Sequence, residues 1–265
     1  MHLHFLDPYQ HRHSLLHALD ARVKFVLALG LILTISLLPV SAWAAYVLVF
    51  ALILSLEIAS LLGVARVLKR SALALPFVMA ALPLILTAPG PVLLSLPFGW
   101  AISAAGVERF ASIALKSWLS VQVAILLATT TPFPDLLMAM RAVRIPRLFV
   151  AMVGLMWRYL FVLADEALRL LRARAARSGE SGQPGLKTGG SLPWRAGVAG
   201  GMAGNLFLRG IERSDRIYNA MLARGYDGET RALPLPPVSR SSWLTLGAGL
   251  LLFAALLFLG ALVSG

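Results

Sequence analysis

Two short runs concentrate the chemistry available to this chain: Ala176-Arg177-Ser178 and Ala223-Arg224-Gly225. Each sets an arginine between small residues at the end of a stretch with helical spacing. A cation there complements the helix dipole by about 0.3–1 kcal/mol, and a glycine just beyond caps the end. A guanidinium on a protruding helix end also suits an acidic groove on a partner, where its planar fork makes bidentate bonds to a carboxylate. Small neighbours let the tip approach closely, and the doubling of the pattern favours docking over end-capping alone.

Other reactive groups are sparse. There is no cysteine, which excludes disulfides, thiolate metal sites and cysteine nucleophiles. The five histidines, His2, His4, His11, His13 and His17, all lie in the first seventeen residues. Imidazole suits transition-metal ions, but no spacing here fixes a coordination geometry, and a polar exposed leader accounts for them. No metal ligand is assigned. The nearest approach to a phosphate-binding loop, Gly182 to Thr188, has Leu186 where glycine must precede the lysine. Neither His-Glu-x-x-His nor Gly-x-Ser-x-Gly occurs, so the chain reads as non-catalytic. Glu57 and Arg158 stand alone in apolar surroundings. Intramembrane charges are costly and often functional. For Glu57 the alternative is a place near the membrane edge, satisfied by Arg66 or another helix's base. For Arg158 it is pairing with Asp165 or with lipid phosphate.

The elements that must position these groups are membrane helices. Of 265 residues, 58% are hydrophobic and 14% charged, and mean hydropathy is +0.80. A soluble domain carries about 25% charged residues, and a globule of this composition would expose large apolar patches. Lys and Arg number 24 against 12 acids. In a protein mostly in lipid, that excess reads as cationic cytoplasmic segments rather than nucleic-acid binding.

Runs long enough to cross about 30 Å of hydrocarbon fall at Val23–Val40, Ala42–Val64, Ser71–Ala88, Ala111–Thr131 and Trp243–Val263. The first is not a signal peptide: it is too long, Asp7 and Asp20 precede it, and another span follows at once. Pro76 and Pro83 predict a kinked third span, followed by a chargeless loop with Gly90, Pro91, Pro97 and Gly99. Lys116 is expected to snorkel outward at the start of the fourth. Leu148–Leu163 is apolar enough to span, and the positive-inside bias decides against it. With this segment uncrossed, every Lys and Arg except Arg109 and Lys116 falls on the cytoplasmic side. The fold class is therefore all-α and polytopic, with about five transmembrane helices and a cytoplasmic N-terminus. Residues 1–131 hold the leader and four spans, 132–240 a cytoplasmic or interfacial insert, and 241–265 the last span.

Within the insert, Asp135–Val143 reads as a short amphipathic helix with an acidic first turn. A helix ending at Arg177 pairs Asp165 and Glu166 with Arg169 and carries the stripe Leu168, Leu171 and Ala175. A Gly/Ser/Pro-rich loop, Gly179 to Pro193, leads to a second helix. Phe207, Ile211, Tyr218 and Leu222 form its stripe, with Glu212 and Arg216 paired at i,i+4.

The leader HSLLHALDARVKFV, the run from MRAVRIPRLFVAMVGLMWRY to LRLLRARAARSG, and SDRIYNAMLARGYDG together resemble one known family. It is the T component, or transmembrane coupling subunit, of energy-coupling-factor importers, of the CbiQ type that serves cobalt uptake. The resemblance covers essentially the whole chain; Ala21 stands where the family commonly has proline. It implies an L-shaped membrane protein whose two Ala-Arg-small motifs end cytoplasmic coupling helices. Ala176, Arg177, Ser178, Ala223, Arg224 and Gly225 then dock onto two ABC-type ATPases, which bind the ATP and Mg, so this chain needs no cofactor of its own. It also implies a separate CbiM-like substrate-binding membrane subunit (S component), with Leu148–Leu163 against it or shallow in the bilayer, in the inner (plasma) membrane. A nickel importer of the same design and a self-contained permease are the alternatives.

Overall fold

The computed structural model describes residues 9–87, 89, 91–95, 101–177, 191–227 and 237–264. In chain order the helices are α1 Leu15–Ala18, α2 Ala21–Leu37, α3 Trp43–Ala59 and α4 Val64–Ser71. A 3-10 turn at Ala72–Ala74 leads into α5 Leu75–Met79 and α6 Pro83–Thr87. A two-stranded antiparallel ribbon, β1 Val92–Ser95 with β2 Ala101–Ser103, pairs Val92 with Ser103 and Ser95 with Ala101. Then come α7 Ala104–Thr130, α8 Phe133–Ala142, α9 Arg147–Arg177, α10 Leu192–Ala223 and α11 Arg240–Ser264. The protein is an all-α polytopic membrane protein. Among the described residues α7, α9 and residues 240–263 of α11 are long and apolar enough to cross a bilayer, and α3 is a shorter apolar helix. The described residues divide into two units, 145–177 with 191–227 in the smaller and the others in the larger.

The larger unit is built on α2, α3, α7 and α11. Leu31, Ile35, Tyr46, Val49, Ile53, Leu119, Val123, Phe253 and Leu256 are buried together at its centre. Side-chain contacts fix the helix directions. Tyr46 OH donates to Pro39 O and pairs with Ser112 Oγ at 2.8 Å, and Phe50 stacks on Trp118, so α3 and α7 run the same way. A Cβ on Gly30 would meet Phe253, one on Gly249 would meet Leu27, and one on Gly260 would meet Leu38. Eleven residues thus separate the contacts on both α2 and α11, which are parallel and closely packed because these positions carry no side chain.

Two lysines fasten α2 to α7. Lys24, at the start of α2, donates to Thr130 O at the end of α7 (3.0 Å). Lys116, near the middle of α7, donates to Ser36 O and Leu38 O at the end of α2 (3.1 and 2.6 Å). The two helices are therefore antiparallel, and each supplies the cation that satisfies the other's terminal carbonyls. Lys116 does not snorkel outward as expected; a helix C-terminus within reach is a better partner than the interface.

These directions bear on the insert. Thr130 ends α7 beside Lys24, and Trp243, near the start of α11, lines a small cleft with Arg22, Val23 and Val26. α8 still packs on α2, and Ala142 and Val143 at its end line the same cleft. The chain leaves this unit after Arg144 and is back in it at Val238, at the same end of α2.

The third expected span is corrected. Instead of one kinked helix over Ser71–Ala88 there are separate pieces: the end of α4, a 3-10 turn, α5 and α6. The chain turns at residues 80–82. Pro76 and Pro83 each remove a backbone donor, and together they break the ladder rather than bend it. Part of the chargeless loop is ribbon, while Gly90, Pro97 and Gly99 lie outside the described residues. The second span also ends early. Leu61 takes φ 58° and Gly63 φ 86°, turning the chain into the basic helix α4. In the smaller unit α9 and α10 pack on one another.

Candidate functional site

The apolar Leu148–Leu163 stretch and the charged run after it form one uninterrupted helix, α9, of 31 residues. At 1.5 Å per residue it is about 46 Å long. α10 has 32 residues and starts well before Phe207, where the apolar periodicity begins. Ser191 caps it, its Oγ accepting from Trp194 N at 3.4 Å, and Pro193 sits in the first turn where a missing N–H costs nothing. Gly197, Gly200, Gly201 and Gly204 obscure its first half in the sequence.

Both arginine motifs stand at helix ends. Ala176 and Arg177 close α9 and are exposed; Ser178 and most of the loop that follows lie outside the described residues, with Gly182 to Thr188. At the other end Ala223 is the last residue of α10 and Arg224 its C-cap. Gly225 adopts φ 79°, Tyr226 N donates to Met221 O at 3.0 Å and Gly225 N to Leu222 O at 2.9 Å. These paired bonds form a Schellman cap, which explains the glycine of this motif by its left-handed backbone. Arg224 itself is exposed, as are the amphipathic stripes on both helices: Leu168 and Leu171 on α9, and Phe207 (68% exposed), Ile211, Tyr218 and Leu222 on α10. So are Leu148, Phe149, Met152 and Met156 at helical spacing on the first half of α9. The two arms thus present apolar surface that nothing within their unit covers.

What the structure brings together is a group that helical spacing understates. Glu166, only 8% exposed, accepts from Arg209 Nη1 at 2.9 Å and from Arg213 Nη2 at 3.1 Å, both on α10. Arg169 on its own helix lies at 3.9 Å. Glu166 is thus an inter-helix clasp as well as the expected i,i+3 surface partner of Arg169. The hydrogen bond from Arg209, reinforced by Arg213, holds its carboxyl below the ordinary carboxylate range. The ionised clasp is complete above that range and is lost only as pH falls beneath it. The sequence signal was Arg209 and Arg213 at i,i+4 on one face of α10. Asp165 is exposed and makes no ion pair with Arg169 or Arg158, whereas Glu212 and Arg216 pair at 4.0 Å. Arg158 lies exposed on α9.

From Gln10 onward the leader is organised. Ser14 caps α1, Asp20 Oδ1 caps α2 by accepting from Arg22 N at 2.9 Å, and Gln10 N donates to Thr129 O at 3.0 Å. His17 Nε2 lies 3.0 Å from Gln10 O and so carries the proton, leaving Nδ1 to accept from Ser14 Oγ at 2.7 Å. Burial, with help from nearby cations, lowers the His17 pKa and keeps it neutral in this role. Among the described residues no group of three His, Asp or Glu converges to hold a metal ion; His2 and His4 lie outside them. Glu57 is buried (1% exposed), and among the described residues its Oε1 has no hydrogen-bond partner; Gln122 Nε2 on α7 is likewise buried and unpartnered among them. Arg66 does not satisfy Glu57. It donates instead to Gln10 Oε1 at 2.6 Å.

The chain is thus a polytopic membrane protein with two long amphipathic helices that carry exposed apolar stripes and end in exposed arginines. A family model described as "CbiQ: Cobalt transport protein" matches residues 12–234, and the chain belongs to that family. It is a membrane component of cobalt transport. The cobalt transport protein CbiQ of Rhodobacter capsulatus is 31% identical over 188 residues, covering 70% of this chain and 72% of that one. A putative fused cobalt transport protein CbiMQ of Methanocorpusculum labreanum is 28% identical over 172 residues, 62% of this chain and 27% of that one. The nickel permease LarQ of Lactiplantibacillus plantarum is 29% identical over 137 residues, 52% of this chain and 45% of that one.

Proposed function

We propose that this protein is the non-catalytic transmembrane coupling subunit of an ATP-driven energy-coupling-factor importer for cobalt. The observation that carries this reading is the pair of arms: each bears an exposed apolar stripe and ends in an exposed arginine, Arg177 or Arg224. An acidic groove on each of two ABC-type ATPases receives a tip, the stripes give the motor an apolar surface to push, and ATP-driven closure moves the arms. The insert's return to the same end of α2, combined with its Lys/Arg content, supports a cytoplasmic placement in the inner membrane. The fused CbiMQ relative supports a CbiM-like substrate-binding subunit as second partner, with the exposed face of α9 from Leu148 to Met156 available to it. Cobalt is preferred to nickel because the family description names cobalt.

Reconstitution separates this reading from a self-contained permease. Liposomes holding this chain alone take up no cobalt. Liposomes that also hold the two ATPases and the substrate-binding subunit take it up only with ATP. Uptake by the chain alone, without ATP, overturns the proposal.

A further inference from the structure

We propose that Glu166 is the positioning residue of the two arms, a single ionic clasp that sets the spacing of the Arg177 and Arg224 tips. The numbering carries the geometry. Arg177 lies eleven residues beyond Glu166, and Arg224 lies eleven residues beyond Arg213. Eleven residues are about 16 Å of helix and, at 3.6 per turn, within about 20° of three whole turns. Measured from Glu166 and Arg213, both tips sit at the same reach and on the face of the helix that carries those residues, while Arg209, the other α10 partner, lies one turn further back. A change of about 10° in the crossing angle moves a tip by about 3 Å over that reach.

The charges explain why Glu166 governs that angle. One carboxylate is met by Arg209, Arg213 and Arg169, so the crossing holds one acid among three bases. The acidic groups nearby in sequence do not share the load: Asp165 is exposed without an ion pair, and Glu212 pairs with Arg216 at an exposed site. Leu163 reaches Gly210, where an added Cβ would only touch it. A charge-assisted fork is directional where apolar surfaces slide. Neutralising Glu166 leaves three like charges facing one another, and the arms part.

This inference rests on the coupling reading for its purpose and on the clasp for its geometry, and the two are separable by experiment. The chain has no cysteine, so cysteines placed at Ala176 and Ala223 accept spin labels cleanly in the full chain in lipid nanodiscs. Pulsed dipolar spectroscopy gives one narrow distance distribution for the parent. Glu166→Gln widens it by several ångströms with helix content unchanged, Glu212→Gln leaves it alone, and Glu166→Arg with Arg209→Glu and Arg213→Glu restores it. An unchanged distribution in Glu166→Gln, or a failure of the reversed triple variant to restore it, overturns the clasp. If Glu166→Gln does not accumulate, the reversed variant compared with Arg209→Glu/Arg213→Glu alone decides the same point.

Two pegs held at a fixed spacing bind as one bivalent ligand, so loosening them costs avidity. ATPase binding falls about tenfold in Glu166→Gln and recovers in the reversed variant. Distances that respond while ATPase binding does not leave the clasp standing and overturn the docking role of Arg177 and Arg224.

Discussion

The double variant Arg177→Glu, Arg224→Glu reaches the membrane in normal amount and loses ATPase recruitment by at least about a hundredfold. Both side chains are exposed, and among the described residues neither makes an ion pair or a side-chain hydrogen bond. Reversing them therefore leaves the fold intact. The loss arises at the partner. A guanidinium seated on a carboxylate in a desolvated groove is worth about 2–5 kcal/mol on truncation, and reversal adds like-charge repulsion. Each single variant keeps one peg and loses part of the binding; the double loses the avidity as well. Pull-down of the ATPases by the tagged chain, with substrate-linked ATP turnover in the reconstituted complex, reads the effect. Normal turnover in the double variant contradicts the assignment.

The second large effect falls on the bundle. Lys24→Met with Lys116→Met lowers the melting temperature in detergent by about 6–12 °C, from about 3 kcal/mol at 2–4 °C per kcal/mol for a chain of this size. Each lysine makes charge-assisted bonds to carbonyls that end a helix, Thr130 O in one case and Ser36 O and Leu38 O in the other. Each lysine contributes about 1.5 kcal/mol, the low end for hydrogen bonds to charged groups because both side chains are partly exposed. The two sites lie at opposite ends of α2, about 20 Å apart along the helix, so their losses add. Methionine keeps the aliphatic stem, which isolates the loss of the ammonium. Lys69→Met, at an exposed position of α4, shifts the melting temperature little. Equal shifts for all three lysines would remove the capping account.

Much of this was legible in the residues. The helix ends at Arg177 and Arg224, the apolar runs of α2, α3, α7 and α11, and the Glu212–Arg216 pair all follow from local rules of spacing, capping and hydropathy. What was not legible depends on which helices meet. Glu166 reads as an exposed i,i+3 partner of Arg169 until α10 is laid beside it. Lys116 reads as an interfacial cation until the end of α2 arrives within reach. Prolines announce a disturbance at Ser71–Ala88 but not its degree, since a kink and a break differ by whether neighbouring helices re-satisfy the freed carbonyls. The first half of α10 was hidden by its glycines, whose low helix propensity is outweighed in the folded chain.

Everything rests on the two arms ending in the cytosol. Single cysteines at Ala176 and Ala223, probed with a membrane-impermeant maleimide, test that most directly. The predicted result is rapid labelling in inside-out vesicles and none in right-side-out vesicles until the membrane is breached. Labelling of either position from the outer face of sealed right-side-out vesicles contradicts the account.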